Sequence, residues 1–354
     1  MIVIGEKING SIPSVAEAIA KRDAEVIKQR AIAQTEAGAT FIDCCASVSE
    51  SEEVETLHWM IDCIQEVTDL PIAVDSPSAS VIAQAYKFCN KPGLFNSVSG
   101  EGDKMDILFP VMAEAGNEAW QVVALLSDDT GIPKCAADRL KVFDKIMAKA
   151  EEYGIAPDRI HIDPLVEMLC TSEDGIAMVE EVMDTIRSKY PTIHITGAVS
   201  NISFNLPYRK IVNMGFTVLS IKDGLDSSIF DPLNKGLMGL IAATEAIEAK
   251  GGVTADFDFA AVEAELPEAQ KCFVYPAYVS LAMKAGVLMP EYDEEYDEYD
   301  VESFVAETKG NLKPGFSVED YTGLVFATNA LLGNDDMCMA YIGGYRDELF
   351  GQKK

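Results

Sequence analysis

The feature that most limits what this chain can fold into is a rhythm. Short apolar runs rich in β-branched residues alternate with longer amphipathic stretches from the first residue to about 250. "MIVIGEKI" (1–8) reads as a strand and 13–37 as a helix; "TFIDCCA" (40–46) is a strand and 50–67 a helix. The pattern continues with strands at "PIAVDS" (71–76), "GLFNSVS" (93–99), "AWQVVALLS" (119–127), "RIHIDPL" (159–165) and "IHITGAVSN" (193–201). The helices that follow the first four of these cover 78–88, 103–116, 135–153 and 173–189. "FTVLSI" (216–221) reads as a strand by its β-branched content, or 207–222 is a helix and "LDSSIFD" (225–231) the strand; a helix over about 232–250 follows in either case. Strand–helix units of this size imply parallel strands joined by crossovers. Eight of them in about 250 residues match an α/β fold of the (β/α)8 TIM-barrel type. An open doubly wound sheet is the competing architecture, but no G-x-G-x-x-G follows the first strand, which removes its dinucleotide-binding form.

Beyond residue 250 the rhythm changes. "FAAVEAEL", "VYPAYVSLAMKAGVL", "VESFVAETKGNL" and "VEDYTGLVFATNALLG" read as helices, so the expected organisation is a barrel over 1–250 and a C-terminal helical extension over 251–354. Within the extension, "PEYDEEYDEYD" (290–300) reads as a solvated acidic loop, the sharper alternative being a docking surface for a basic partner. The chain carries 28 Lys+Arg against 58 Asp+Glu, a net charge of −30. That field repels phosphate backbones and anionic lipid, so no nucleic-acid or membrane partner is expected. No apolar run approaches a membrane span, and "MIVIGEKING" lacks the basic start and long apolar stretch of a signal peptide. The eight cysteines are scattered without C-x-x-C and there are three histidines, so reduced thiols in a cytoplasmic protein are expected and no metal site.

Each expected strand stops on a polar side chain: Glu6 and Asn9, Asp43, Asp75, Asn96, Ser127, Asp163, Asn201, and Asp226 or Asp231. In a barrel these ends converge on the face that carries active sites. Any one of them could equally cap the following helix. The set as a whole is rich in carboxylates and amides and poor in histidine, with Lys7 and Arg209 as the nearby cations. A carboxylate can accept two parallel hydrogen bonds from an amino-pyrimidinone edge, and an amide can donate and accept. The inventory therefore suits a neutral, donor-rich heterocycle, and it could also hold Mg²⁺.

Several strings then occur together in order: "IGEKING" (4–10), "DSPS" (75–78), "FNSVSGE" (95–101), "TGIP" (130–133), "HIDPL" (161–165), "VSNISFNLPYR" (199–209) and "GLDSSIFDP" (224–232). Through about residues 1–250 they resemble the methyltetrahydrofolate:corrinoid protein methyltransferases, a pterin-binding barrel family related to dihydropteroate synthase. The resemblance implies that 207–222 is the seventh helix and 225–231 the eighth strand. It implies that Asp75, Asn96 and Asp163 hydrogen-bond the pterin and that Asn201 sits near nitrogen-5 as the catalytic residue. Gly197 and Ser200 flank the same strand end and Arg209 contacts the folate or orders that loop, so the resemblance counts all three with the pterin-binding residues; Glu6, Asn9, Asp43 and Ser127 are further candidates at the mouth. The second strand ends "DCCAS", with Cys45 where the family more often has an amide. The reaction implied is methyl transfer between nitrogen-5 of tetrahydrofolate and the cobalt of a corrinoid. No D-x-H-x-x-G is present, so the corrinoid would be carried by a partner protein. A homodimer is the related barrels' habit. The competing readings are a non-catalytic pterin-binding subunit, a dihydropteroate synthase and a metal-dependent barrel lyase. Dihydropteroate synthase must hold a pyrophosphate leaving group; "LDSSIFD" offers it no cation, and Asn201 stands where a lysine is expected.

Overall fold

The computed structural model describes residues 1–351 apart from Glu173, Ala255 and Asp297. Glu173, the expected first residue of the helix at 173–189, and Asp297, within the acidic stretch, lie outside the described residues. The chain divides into two compact units, residues 1–165, 182–198 and 226–233 in one, and residues 166–181, 199–225 and 234–354 in the other.

The first unit holds all the barrel strands: β1 (Ile2–Asn9), β2 (Phe41–Cys45), β3 (Ile72–Asp75), β4 (Leu94–Gly100), β5 (Gln121–Asp128), β6 (Ile160–Asp163), β7 (His194–Ile195) and β8 (Ser227–Phe230). They form one eight-stranded sheet in the order β7-β6-β5-β4-β3-β2-β1-β8, every pairing parallel. The two ends of that order meet. Asp226 donates its backbone N–H to the Ile195 carbonyl and Ile229 to that of Gly197, both at 3.2 Å, which nearly closes the ring. This is the (β/α)8 TIM barrel expected from the rhythm, with helices following the strands in sequence: α1 (Pro13–Lys21), α2 (Ala24–Glu36), α3 (Glu50–Gln65), α4 (Ala79–Ala85), α5 (Lys104–Ala113), α6 (Ala136–Glu152), α7 (Ala177–Lys189), α8 (Arg209–Lys222) and α9 (Lys235–Ala249). Ile4, Phe41, Ala73, Leu94 and Val123, one from each of β1–β5, pack together with Ile2, Leu125 and Ile229. Burying each large side chain of such a cluster contributes about 1.5–3 kcal/mol.

Three expectations are corrected here. The helix expected over 13–37 is two, because Arg22 adopts a left-handed φ of 52° and the Asp23 carboxylate accepts the Glu25 N–H to start α2. The strand expected over 193–201 stops at Ile195, and Val199–Asn201 is a 3-10 turn, so Asn201 does not end a strand. Asp226 precedes β8 and serves its entry side, accepting from His194 Nδ1 at 2.9 Å and the Ile195 N–H at 2.8 Å; Asp231 is the residue past its end. The ambiguous segment is the helix α8, followed by the strand β8.

In the second unit α8 packs against α9, α11 (Val274–Lys284) and α13 (Val318–Leu331), and α10 (Phe259–Glu263), α12 (Val301–Thr308) and α14 (Met339–Arg346) complete the helices. The α14 segment, with its Gly343–Gly344 pair, had no helical signal in the sequence. Lys284 of α11 donates to Asp223 at 2.8 Å and to Glu180 at 2.5 Å. The acidic stretch is not wholly a loop. Tyr292–Asp293 and Glu298–Tyr299 pair as a short antiparallel hairpin, with the Tyr292 and Tyr299 rings edge-to-face at 5.2 Å.

Candidate active site

The parallel register sets Asn9 beside Cys45, Cys45 beside Asp75, and Asp75 beside Asn96 at the C-terminal ends of β1–β4. Asp43 lies two residues before Cys45 and so shares its face of β2. Its carboxylate accepts the Asn96 amide N–H at 3.2 Å. The Asp75 carboxyl lies close enough to the Cys45 and Asp43 side chains for each to affect its ionisation. Two carboxyl groups in contact and out of water cannot both ionise cheaply. Burial first, and the Asp75 charge second, push the Asp43 carboxyl well above the usual carboxylate range. Burial pushes Asp75 up to about 6. Glu6 on β1 is raised too, by burial, with Lys7 opposing and Asp231 adding; Lys7 itself pairs with Asp231 at 3.3 Å.

Asp163, the last residue of β6, is buried, and its Oδ1 accepts the Leu165 N–H at 2.8 Å. Burial raises its carboxyl to about 6 against the Leu165 N–H, the Arg139 guanidinium and the Ala198 N–H, which each pull it down. Arg139 was missed in the sequence; nothing in "AADRLKVFDKIM" separates it from a solvated helix charge. Thr196 was missed as well. Its side chain is fully buried and, among the described residues, its hydroxyl has no hydrogen-bond partner.

The other candidates are placed as follows. The Asn9 side-chain oxygen accepts the Ser11 N–H at 2.9 Å and the Ser47 hydroxyl at 3.2 Å, a turn-forming use. The Ser127 hydroxyl donates to Glu101 Oε1 at 2.9 Å. Gly197 spends its carbonyl on the Ser228 hydroxyl at 2.9 Å and on Ile229. In the second unit, Arg209 at the start of α8 donates from Nη2 to the Ser200 carbonyl at 2.7 Å and from Nε to the Ser203 hydroxyl at 3.0 Å. Its guanidinium also stacks 4.4 Å over the Phe204 ring, and the Asn201 carbonyl accepts the Phe204 N–H at 3.2 Å. Ser200, Asn201 and Arg209 thus belong to one ordered loop, while Asp43, Cys45, Asp75 and Asn96 form one side-chain cluster.

Acids raised by burial and set beside an amide at the strand ends of a (β/α)8 barrel lie on the face where barrels of this kind carry their active sites. The chain belongs to the pterin binding enzyme family, whose model matches residues 5–231. It is 44% identical over 247 residues to a methylcorrinoid:tetrahydrofolate methyltransferase of Eubacterium limosum, covering 70% of this chain and 91% of that one. Its structure is similar to dihydropteroate synthase of Xanthomonas albilineans in complex with 7,8-dihydropteroate (TM-score 0.51, 16% identity, 72% of this chain and 94% of that one). It is likewise similar to dihydropteroate synthase of Clostridium difficile in the presence of pteroic acid (TM-score 0.52, 19% identity, 70% of this chain and 96% of that one). At these identities the likeness to the solved structures concerns the fold.

Proposed function

We infer that the chain is a methyltransferase that moves a methyl group between nitrogen-5 of tetrahydrofolate and the cobalt of a corrinoid. The observation that carries the reading is the Asp43–Asp75–Asn96 cluster at the barrel rim, with Asp43 and Asn96 buried and Asp75 half-buried, in a chain 44% identical to a methyltransferase named for that chemistry. In this assignment Asp75 and Asp163 ionise to accept the N–H groups of the pterin's amino-pyrimidinone edge, and Asn96 supplies both an acceptor and a donor. Asp43 backs Asp75 and keeps its proton. Asn201 lies at nitrogen-5, and Arg209 orders the loop that carries it.

The direction proposed follows the relative's name, toward tetrahydrofolate. The nitrogen-5 lone pair forms the new N–C bond. The Co–C bond breaks, and its electron pair stays on cobalt as Co(I). The ammonium so formed loses its proton to solvent through a water that Asn201 holds by a hydrogen bond. In reverse, a hydrogen bond donated to nitrogen-5 strengthens as the departing methyl leaves its bonding electron pair on that atom, which lowers the barrier to expelling it. Proton assistance of this kind contributes ~10²–10⁴-fold, and in-line positioning of two large substrates at least as much.

The corrinoid is delivered by a partner protein, a reading supported by the absence of D-x-H-x-x-G from the sequence. The pterin-binding part is assigned to about residues 1–250 and a helical extension to 251–354; the family match ending at residue 231 supports that division. All eight cysteines are free thiols, which supports a cytoplasmic setting, and a homodimer is proposed, to be checked by light scattering. The test of function is spectroscopic. Mixed with a methylated corrinoid protein and tetrahydrofolate, the chain should produce Co(I) absorbance and methyltetrahydrofolate in equal amounts. A folded, pterin-binding protein that leaves the cobalt spectrum unchanged would return the non-catalytic reading.

A further inference from the structure

Among the described residues, Arg139 on α6 is the largest fully buried side chain. A buried guanidinium costs several kcal/mol unless its donors are matched. Its donors go to two loops at the strand ends. Nε donates to the Pro133 carbonyl at 3.2 Å, in the loop after β5. Nη1 donates to the Pro164 and Leu165 carbonyls, both at 2.5 Å, in the loop after β6. Leu165 has a left-handed φ of 64°, a conformation that costs a branched residue about 1–2 kcal/mol. It is held there from both sides: its N–H bonds Asp163 Oδ1 and its carbonyl bonds Arg139.

We propose that Arg139 is a positioning residue for substrate binding: by clamping the Pro164 and Leu165 carbonyls it fixes the Leu165 N–H that aims the Asp163 carboxylate. The inference rests on the assignment of Asp163 to the pterin. The Arg139 charge also favours the ionised Asp163, and a lysine would keep that part; the fork acts on Asp163 through one peptide unit. It also ties the loops after β5 and β6 into a single rim segment, so a change in one is felt in the other.

The test is a double-mutant cycle read by tetrahydrofolate affinity, with Arg139→Lys, Asp163→Asn and the combined variant. Arg139→Lys keeps a cation but loses the fork, and should weaken binding about tenfold. In the Asp163→Asn background the same change should cost less than about twofold, because there is no carboxylate left to aim. A role in stability alone would lower the denaturation midpoint and leave the affinity of folded protein unchanged, which overturns the proposal. So would losses that multiply in the combined variant. If Arg139→Lys does not fold, Pro133→Gly in the loop clamped by Nε carries the same cycle, with the same non-additive pattern expected and additive losses contradicting it. Wild-type affinity in Asp163→Asn alone would instead sink the underlying site assignment, and the inference with it.

Discussion

The two ends of the barrel strands bury polar groups to opposite effect. Near the strand starts, His161 is sealed with both ring nitrogens engaged, Nε2 with Gln121 Oε1 at 2.7 Å and Nδ1 with Ser227 Oγ at 2.9 Å. Burial, helped by the stacked His194 ring, pulls it down to about 3, so it stays neutral and satisfied. At the strand ends, burial raises Asp75 and Asp163 to about 6 instead. An ionised carboxylate has about four acceptor sites, and their protein partners fill only some of them. One polar layer is satisfied within the barrel; on the proposed reading the other keeps capacity for a ligand. Burial of a titratable group is therefore not the mark of a site. What marks it is acceptor capacity that the chain leaves open.

The sharpest way to break this comparison is to remove one group from each end. Asp75→Ala or Asp163→Ala should weaken tetrahydrofolate binding by about 100-fold, the worth of charge-assisted hydrogen bonds in a closed site. His161→Leu should leave that affinity within about twofold, measured by calorimetric titration. Equal losses at the two ends would erase the distinction. Next comes Asn201→Ala, expected to lower the methyl-transfer rate by about 10²-fold while changing affinity little, in single-turnover kinetics.

Stability should move the other way. His161→Leu leaves Gln121 and Ser227 facing an apolar group and should cost about 2–3 kcal/mol by urea unfolding. Asp163→Asn should stabilise at pH 7 by about 3 kcal/mol, because a carboxyl raised from 3.8 to about 6 must ionise against its surroundings. The folded state binds this proton more tightly than the unfolded chain, so the stability it adds is full below pH 4 and is lost as pH rises toward 6. Binding runs opposite: affinity should fall as pH drops through about 6, where Asp75 and Asp163 become protonated. The smallest effect belongs to exposed acids. Glu294→Gln with Glu295→Gln in the hairpin should shift stability by less than about 0.5 kcal/mol and leave turnover with free cobalamin unchanged.

The barrel was legible because burial on both faces writes parallel strands as apolar runs, and Asp75 and Asp163 showed as the charges that end them. The loop around Asn201 was less so. "ITGAVSN" has strand composition, but after Ile195 its backbone leaves the ladder, and Gly197 is used to meet β8. Arg139 was invisible for a different reason. Its partners are backbone carbonyls up to 26 residues away, which leave no side-chain signature. The break at Arg22 was hidden because a positive φ at a non-glycine residue has no reliable sequence signal.

The most direct test of the central claim is proton release on binding. Calorimetric titration of tetrahydrofolate at pH 6, in buffers of differing ionisation heat, counts protons lost as the acids ionise to accept the pterin's N–H groups. The account predicts net release in the wild type, reduced in Asp75→Ala and in Asp163→Ala and unchanged in His161→Leu. Tight binding with no proton release, or the same release in all four proteins, would contradict it.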